Sequence, residues 1–177
     1  MIPTDEETLR LNPLLAGLHP AVIRFHAARI QACYGRNVPV RMVGGLRDPL
    51  EQQRLYRIGR ALVDGRWIVV DPHAVVTQLE IGWHNFGLAS DLALLVGEKT
   101  VTWEDADRDG DGMSDWNEVA LATEECGHFD RDLGEIGYFW KRFVDPPHAE
   151  RHRGLALEEA IARMQGGFDP VTGQKIA

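Results

Sequence analysis

The chain has 177 residues, 44% of them hydrophobic and 26% charged, and a formal net charge of -8. That length suffices for one domain with a substantial apolar core, and no stretch approaches the roughly 18 to 20 apolar residues that cross a bilayer, so a membrane-spanning chain is excluded. The acidic balance argues against a nucleic-acid partner, because neutralising phosphates takes clustered Lys and Arg.

The opening residues, MIPTDEETLRLNPLL, carry acids where a secretory signal carries basic residues, and no long apolar run leads to a cleavage site. No signal peptide is expected, and the protein is read as made in the cytoplasm and leaving by another route. From His19 to Cys33, the residues Val22, Ile23, Phe25, Ile30 and Cys33 approximate one helical stripe with Pro20 in a first turn, which predicts a helix. VPVRMVGGL (38–46) reads as a short strand closed by a glycine pair. DPLEQQRLYRIGRAL (48–62) resumes helical spacing through Leu50, Leu55, Tyr56 and Ile58, starting well at Asp48-Pro49 and weakened or ended by Gly59.

Residues 66–87 form a loop-rich passage with short β-like pieces, and LASDLALLVG (88–97) has the length and apolarity of a buried strand. KTVTWE (99–104) alternates like a strand, and WNEVALATEEC (116–126) reads as a helix ended by Gly127. After Gly154, LALEEAIARM predicts a last helix, and residues 166–177 a frayed, glycine-rich tail. Short strands and helices without regular βαβ alternation favour an α+β fold in a single domain, 1–177. Cys33 and Cys126 lack CxxC spacing, which sets aside a zinc-cysteine site and a disulfide framework and leaves two free, buried thiols.

IGWHNFGLASDLAL places His84 and Asp91 seven residues apart with small Gly87 and Ala89 between them. Downstream, FVDPPHAERH puts His148 behind two stiffening prolines. Two imidazoles and one carboxylate suit Zn2+ and leave a fourth position for water, while Asp145 stands where a proton acceptor would be needed. On composition and spacing alone, a hydrogen-bonded structural residue is the default for each histidine and metal binding by the trio the less frequent alternative. His73 after a DP turn and His128 in a Cys-Gly-His turn are read that way, and His152, four residues past His148, is the best rival ligand.

Three blocks, GLRDPLEQQRLYRIGR (45–60), WHNFGLASD (83–91) and WKRFVDPPH (140–148), resemble in order and spacing the motifs of the LAS-type zinc peptidases, especially phage L-alanyl-D-glutamate endopeptidases. The resemblance covers residues 18–150. It implies a small antiparallel sheet flanked by helices, as in the Hedgehog and D,D-peptidase folds, and a peptidoglycan endopeptidase with His84, Asp91 and His148 as zinc ligands. It also implies Asp145 as general base, Arg47 as the arginine that binds substrate and steadies the attacked carbonyl, and Gln52 as a peptide-holding residue. Gly82 departs from the family, which usually has Ser two residues before the first histidine; an effect on substrate contacts or loop shape is expected, not on zinc.

The acidity is local. Seven acids and one base, Arg108, fall between Glu104 and Glu118, and Asp107 to Glu118 fits D-x-D-x-D-G-x5-E at every fixed position. Asp107, Asp109, Asp111, the Met113 carbonyl, Asp115 through water and Glu118 would bind Ca2+. The alternative is a solvated acidic turn. The preceding segment reads as a strand, Ser114 stands where paired EF-hands place an apolar residue, and no second loop exists, so a single EF-hand-like loop without its first helix is expected.

The resemblance implies an endolysin acting on stem peptides at the L-Ala-D-Glu bond, held in the host cytoplasm until lysis, with calcium ordering the connection between Asp91 and His148; a monomer is expected. Two alternatives stay open: a D-Ala-D-Ala carboxypeptidase or dipeptidase with the same zinc site, and a non-catalytic zinc- and calcium-binding module.

Overall fold

The structure is a computed structural model that describes residues 2–126 and 134–176. Helix α1 (Asp5–Leu11) starts with a capping box in which the Thr4 hydroxyl accepts from Glu7 N and the Glu7 carboxylate accepts from Thr4 N. Helix α2 (Pro20–Gly35) is capped by His19 and turns Val22, His26, Arg29, Ile30 and Cys33 inward, residues one helical face apart. That stripe differs from the purely apolar one expected, because an arginine and a histidine share it.

Strand β1 (Val40–Gly44) leads to α3 (Pro49–Arg57), where the Asp48 side chain accepts from Leu50 N. The helix expected within residues 48–62, weakened or ended by Gly59, stops at Arg57. Gly59, with φ of +77°, turns the chain into β2 (Arg60–Val63), which pairs with β3 (Arg66–Val69) across Asp64-Gly65. Both turn residues have positive φ, which is what a two-residue hairpin requires and what an Asp-Gly pair tolerates.

The main sheet is built on β4 (Ala89–Val96), buried at almost every position. Antiparallel β1 lies on one side; on the other, β5 (Thr100–Thr102) covers the second half of β4, and β7 (His148–Glu150) the first. Strand β6 (Glu135–Ile136) pairs with β7. Helix α4 (Asp115–Glu125) packs against α2, and α5 (Leu157–Gln165) closes the described fold. The core joins Val22 and Ile30, Val40 and Met42, Leu92 and Leu94, and Trp116 and Val119, one pair each from α2, β1, β4 and α4. This is an α+β fold with a small antiparallel sheet, as the sequence predicts, and no described helix is long and apolar enough to cross a membrane.

Both cysteines are free; burial pushes the Cys33 thiol up to about 12 and the half-buried Cys126 thiol to about 11. Near the C-terminus, Phe168 bridges Lys175 and Asp169 contacts His19 Nε2 at 3.0 Å.

Candidate active site

The three expected ligands come from two kinds of local structure. His84 lies on a short 3-10 turn, Trp83–Phe86, which ends at Gly87 in the left-handed region with φ of +65°. A Cβ on Gly87 would come within 2.8 Å of His19 N, so both its conformation and its clearance call for glycine. Asp91 and His148 are direct cross-strand partners on β4 and β7, and the β1 bulge sets Gly44 opposite Asp91 on the other side. At Gly44 any side chain would run into the Asp91 carboxylate.

These elements gather His84 Nε2, Asp91 Oδ1 and His148 Nδ1 into a triangle with edges of 3.2, 3.0 and 3.3 Å. Ligands held about 2.0–2.1 Å from a tetrahedral Zn2+ stand roughly 3.3 Å apart, so the donor set and its spacing fit that ion. The second ring nitrogens have their own acceptors: His84 Nδ1 donates to Gly45 O at 2.8 Å, and His148 Nε2 to Glu150 Oε2 at 3.0 Å. Each bond fixes a tautomer whose free lone pair points into the triangle. Burial pushes the Asp91 carboxyl up, but the two imidazoles outweigh it and hold it well below the usual range. Burial likewise opposes charge on His148, yet Asp91 and Glu150 hold it up at about 9. The raised His148 value marks a place where Asp91 and Glu150 favour positive charge, and the lowered Asp91 value is the same pairing seen from the carboxylate.

Arg47 reaches the same place. Its Nη2 is 3.4 Å from Asp91 Oδ2, and Nη1 donates to Gln52 Oε1 at 2.8 Å. Gln52 is only 2% exposed, and its amide nitrogen is occupied by Leu79 O and the Thr77 hydroxyl. Within the protein, then, Gln52 orients Arg47. Asp145 begins the tight turn into β7: its carbonyl accepts from His148 N, and its own N–H bonds Gly137 O. A Cβ on Gly137 would come within 3.1 Å of both the Asp145 and His148 side chains. Burial raises the Asp145 carboxyl above the ordinary range, although His148 opposes this, a direction suited to a group that exchanges protons. Gly82 lies beside Leu79 and Gln52, where a Cβ would meet nothing closer than 3.7 Å.

His84, Asp91, His148, Arg47, Gln52 and Asp145 border one cleft of about 810 Å³, whose walls include Trp103, Trp140, Lys141, Arg142 and Phe143. His152 stands outside the triangle, stacked on Trp83 with ring centres 5.3 Å apart. His73 is in an exposed turn held by Asp71, and His128 and Gly127 lie outside the described residues. The sequence reading missed Glu150, the partner of His148, and Trp140, whose ring lies 5.1 Å from that of His148. Strand periodicity was the available signal for Glu150, since residues two apart share a face.

The acidic loop runs from β5 to α4 with no helix before it. Carboxylate oxygens of Asp107, Asp109 and Asp111 come within 4.8 Å of one another. Asp107 accepts from Gly110 N and Gly112 N, Asp109 from Asp111 N, and Asp111 from Met113 N. Asp115 stands apart in an ion pair with Arg108. Glu118 lies beneath, 2% exposed, with no hydrogen-bond partner for Oε2 among the described residues. Burial first, and then the charges of Asp109 and Asp111, push its carboxyl up to about 7. An orphaned buried carboxylate facing further carboxylates fits a divalent cation with oxygen ligands.

No family model matches the chain. It shares its fold with the crystal structure of the Serratia marcescens L-Ala D-Glu endopeptidase ChiX, at a TM-score of 0.55 and 23% identity over 81% of this chain and 87% of that one. It is 32% identical to the peptidoglycan L-alanyl-D-glutamate endopeptidase CwlK of Bacillus subtilis (strain 168) over 149 residues, 82% of this chain and 80% of that protein. With that relationship and its motif blocks, the chain belongs to the peptidoglycan L-alanyl-D-glutamate endopeptidases of the LAS-type peptidase superfamily.

Proposed function

We propose that the chain is a zinc-dependent endopeptidase that hydrolyses peptidoglycan stem peptides at the L-Ala-D-Glu bond. The observation that carries this reading is the triangle of His84, Asp91 and His148, with edges of 3.0 to 3.3 Å, at the floor of the cleft. When bound, Zn2+ would supply Lewis acidity for the attacked carbonyl and for a water. The Asp145 carboxylate takes the proton of the attacking water and delivers it to the leaving amine of D-Glu. Arg47, held by Gln52, places its guanidinium where negative charge develops on the carbonyl oxygen. Lys141 and Arg142 on the cleft wall offer cations to the carboxylates of an acidic stem peptide.

Ca2+ is the second metal of this reading, held by Asp107, Asp109, Asp111, the Met113 carbonyl, Asp115 through water and Glu118. The support is the buried, unpartnered Glu118 Oε2 beneath three clustered carboxylates. Occupancy orders the start of α4 and thereby the connection between Asp91 and His148, so the enzyme is calcium-activated. The biological role is that of a monomeric endolysin, retained in the host cytoplasm and released onto the wall at lysis. Digestion of purified peptidoglycan with mass analysis of products tests the reading. New N-terminal D-Glu supports it; free D-alanine would assign a carboxypeptidase instead, and no product would leave a non-catalytic metal-binding module.

A further inference from the structure

Beneath the triangle lies a residue that neither the motif blocks nor the metal chemistry accounts for. Arg29, on α2, has no exposed surface, and among the described residues its hydrogen bonds go to neutral acceptors on three other segments. Nε donates to the Thr123 hydroxyl at 2.9 Å, Nη1 to Ser90 O and Oγ at 3.2 and 3.3 Å, and Nη2 to Pro147 O at 2.7 Å. Ser90 immediately precedes Asp91, and Pro147 immediately precedes His148. Thr123 belongs to α4, whose first turn contains Asp115 and Glu118.

Burying a guanidinium without a carboxylate against it is costly, and an apolar side chain of similar volume would fill the space with less penalty. What an apolar residue cannot do is hold two backbone carbonyls and a helix hydroxyl, on three segments, with one rigid fork. Thr123 is five residues past Glu118, about 7.5 Å along the axis of α4, and its hydroxyl donates to Val119 O at 2.6 Å, so its lone pair is aimed at Arg29. Val119, Ala120 and Ala122 are buried on the same helix, which is packed against α2.

We propose that Arg29 is a positioning residue that relays the state of the acidic loop to the zinc ligands, through Thr123 on one side and Ser90 and Pro147 on the other. The inference rests on the calcium reading above. A cation that draws Glu118 toward the loop sets the position of α4; Thr123 then fixes the Arg29 fork, and the fork fixes the backbone beside Asp91 and His148. Because coupling between two sites is reciprocal, each metal must tighten the other by the same factor.

Zinc affinity of the full chain, measured by competition with a chromophoric chelator with and without saturating Ca2+, and calcium affinity with and without Zn2+, test this. The unmodified protein is expected to show a reciprocal factor of about 10, within the usual range of such couplings. Thr123→Val keeps the side-chain shape but removes the acceptor, and should bring the factor below about 2, while Thr123→Ser restores it. Arg29→Lys, which keeps the charge and loses the fork, should uncouple the sites in the same way and serves if Thr123→Val does not fold. Undiminished coupling in these variants overturns the relay alone. Calcium binding without coupling in the unmodified protein likewise overturns the relay, whereas no calcium binding at all overturns the calcium reading from which the relay starts.

Discussion

The Glu150 carboxylate accepts a hydrogen bond from His148 Nε2 at 3.0 Å, from a position two residues along the same strand. The strand places both side chains on one face, and the bond commits His148 to offering Nδ1 to Asp91 and His84. Outer partners of this kind typically change metal affinity by about 10- to 100-fold. Glu150→Gln should therefore weaken zinc binding by about that factor while leaving the folded content of the circular dichroism spectrum unchanged. Unaltered zinc affinity would show that the orientation of His148 is set elsewhere.

Asp145 is assigned proton transfer and no metal bond. Asp145→Asn should retain zinc with its affinity within a few-fold and lose kcat by about 10²- to 10⁴-fold, the range for removal of a general base. KM should move little. Loss of zinc together with activity would make Asp145 a ligand instead.

What the sequence disclosed about this site depended on where its signal lay. His84, Asp91 and His148 stand in contiguous motif blocks, so residue type and spacing sufficed to group them. Glu150 and Arg29 carry no such mark: AERH reads as a charged surface, and an arginine in α2 reads as solvent-facing until α4, β4 and β7 close over it. Gln52 lay in a recognisable block, yet only the fold reveals that Thr77, Leu79 and Arg47 take up its amide. Gly59 is legible as the residue that weakens or ends α3, which stops at Arg57; the β2–β3 hairpin that follows is not, because residues 60–62 fall inside the segment whose spacing reads as helical. Helix α1 went unread although Thr4 and Glu7 form its capping box.

Glu118 is buried without a partner for Oε2, and its carboxyl is pushed up to about 7 by burial and by Asp109 and Asp111. Ionising it in the absence of a cation opposes folding. Glu118→Gln should therefore raise the Tm of calcium-free protein at pH 8 and abolish the rise in Tm that Ca2+ gives the unmodified chain. Thermal melts with and without Ca2+ read both effects; a preserved calcium-induced shift would remove Glu118 from the ligand set.

Asp169 provides a pH signature away from the site. Burial would raise its carboxyl, but hydrogen bonds from Thr172 and His19 outweigh this and hold it at about 2, against an ordinary 3.8. A depressed folded value means that the stabilisation is fully present above about pH 4 and is lost as pH falls toward 2. Asp169→Asn should be less stable than the unmodified chain at pH 6, with the gap closing between about pH 4 and 2 in denaturant titrations. A gap that persists at pH 2 would contradict the assignment.

The central claim is that a metal held by His84, Asp91 and His148 drives cleavage of the L-Ala-D-Glu bond. Its most direct test is the appearance of N-terminal D-Glu from purified peptidoglycan, measured for chelator-treated protein before and after one equivalent of Zn2+ is restored, with Ca2+ present throughout. The account predicts no new D-Glu amino termini before restoration and their release afterward, with no restoration in His148→Ala. Equal release before and after Zn2+, or release of D-alanine in place of new D-Glu termini, would contradict it.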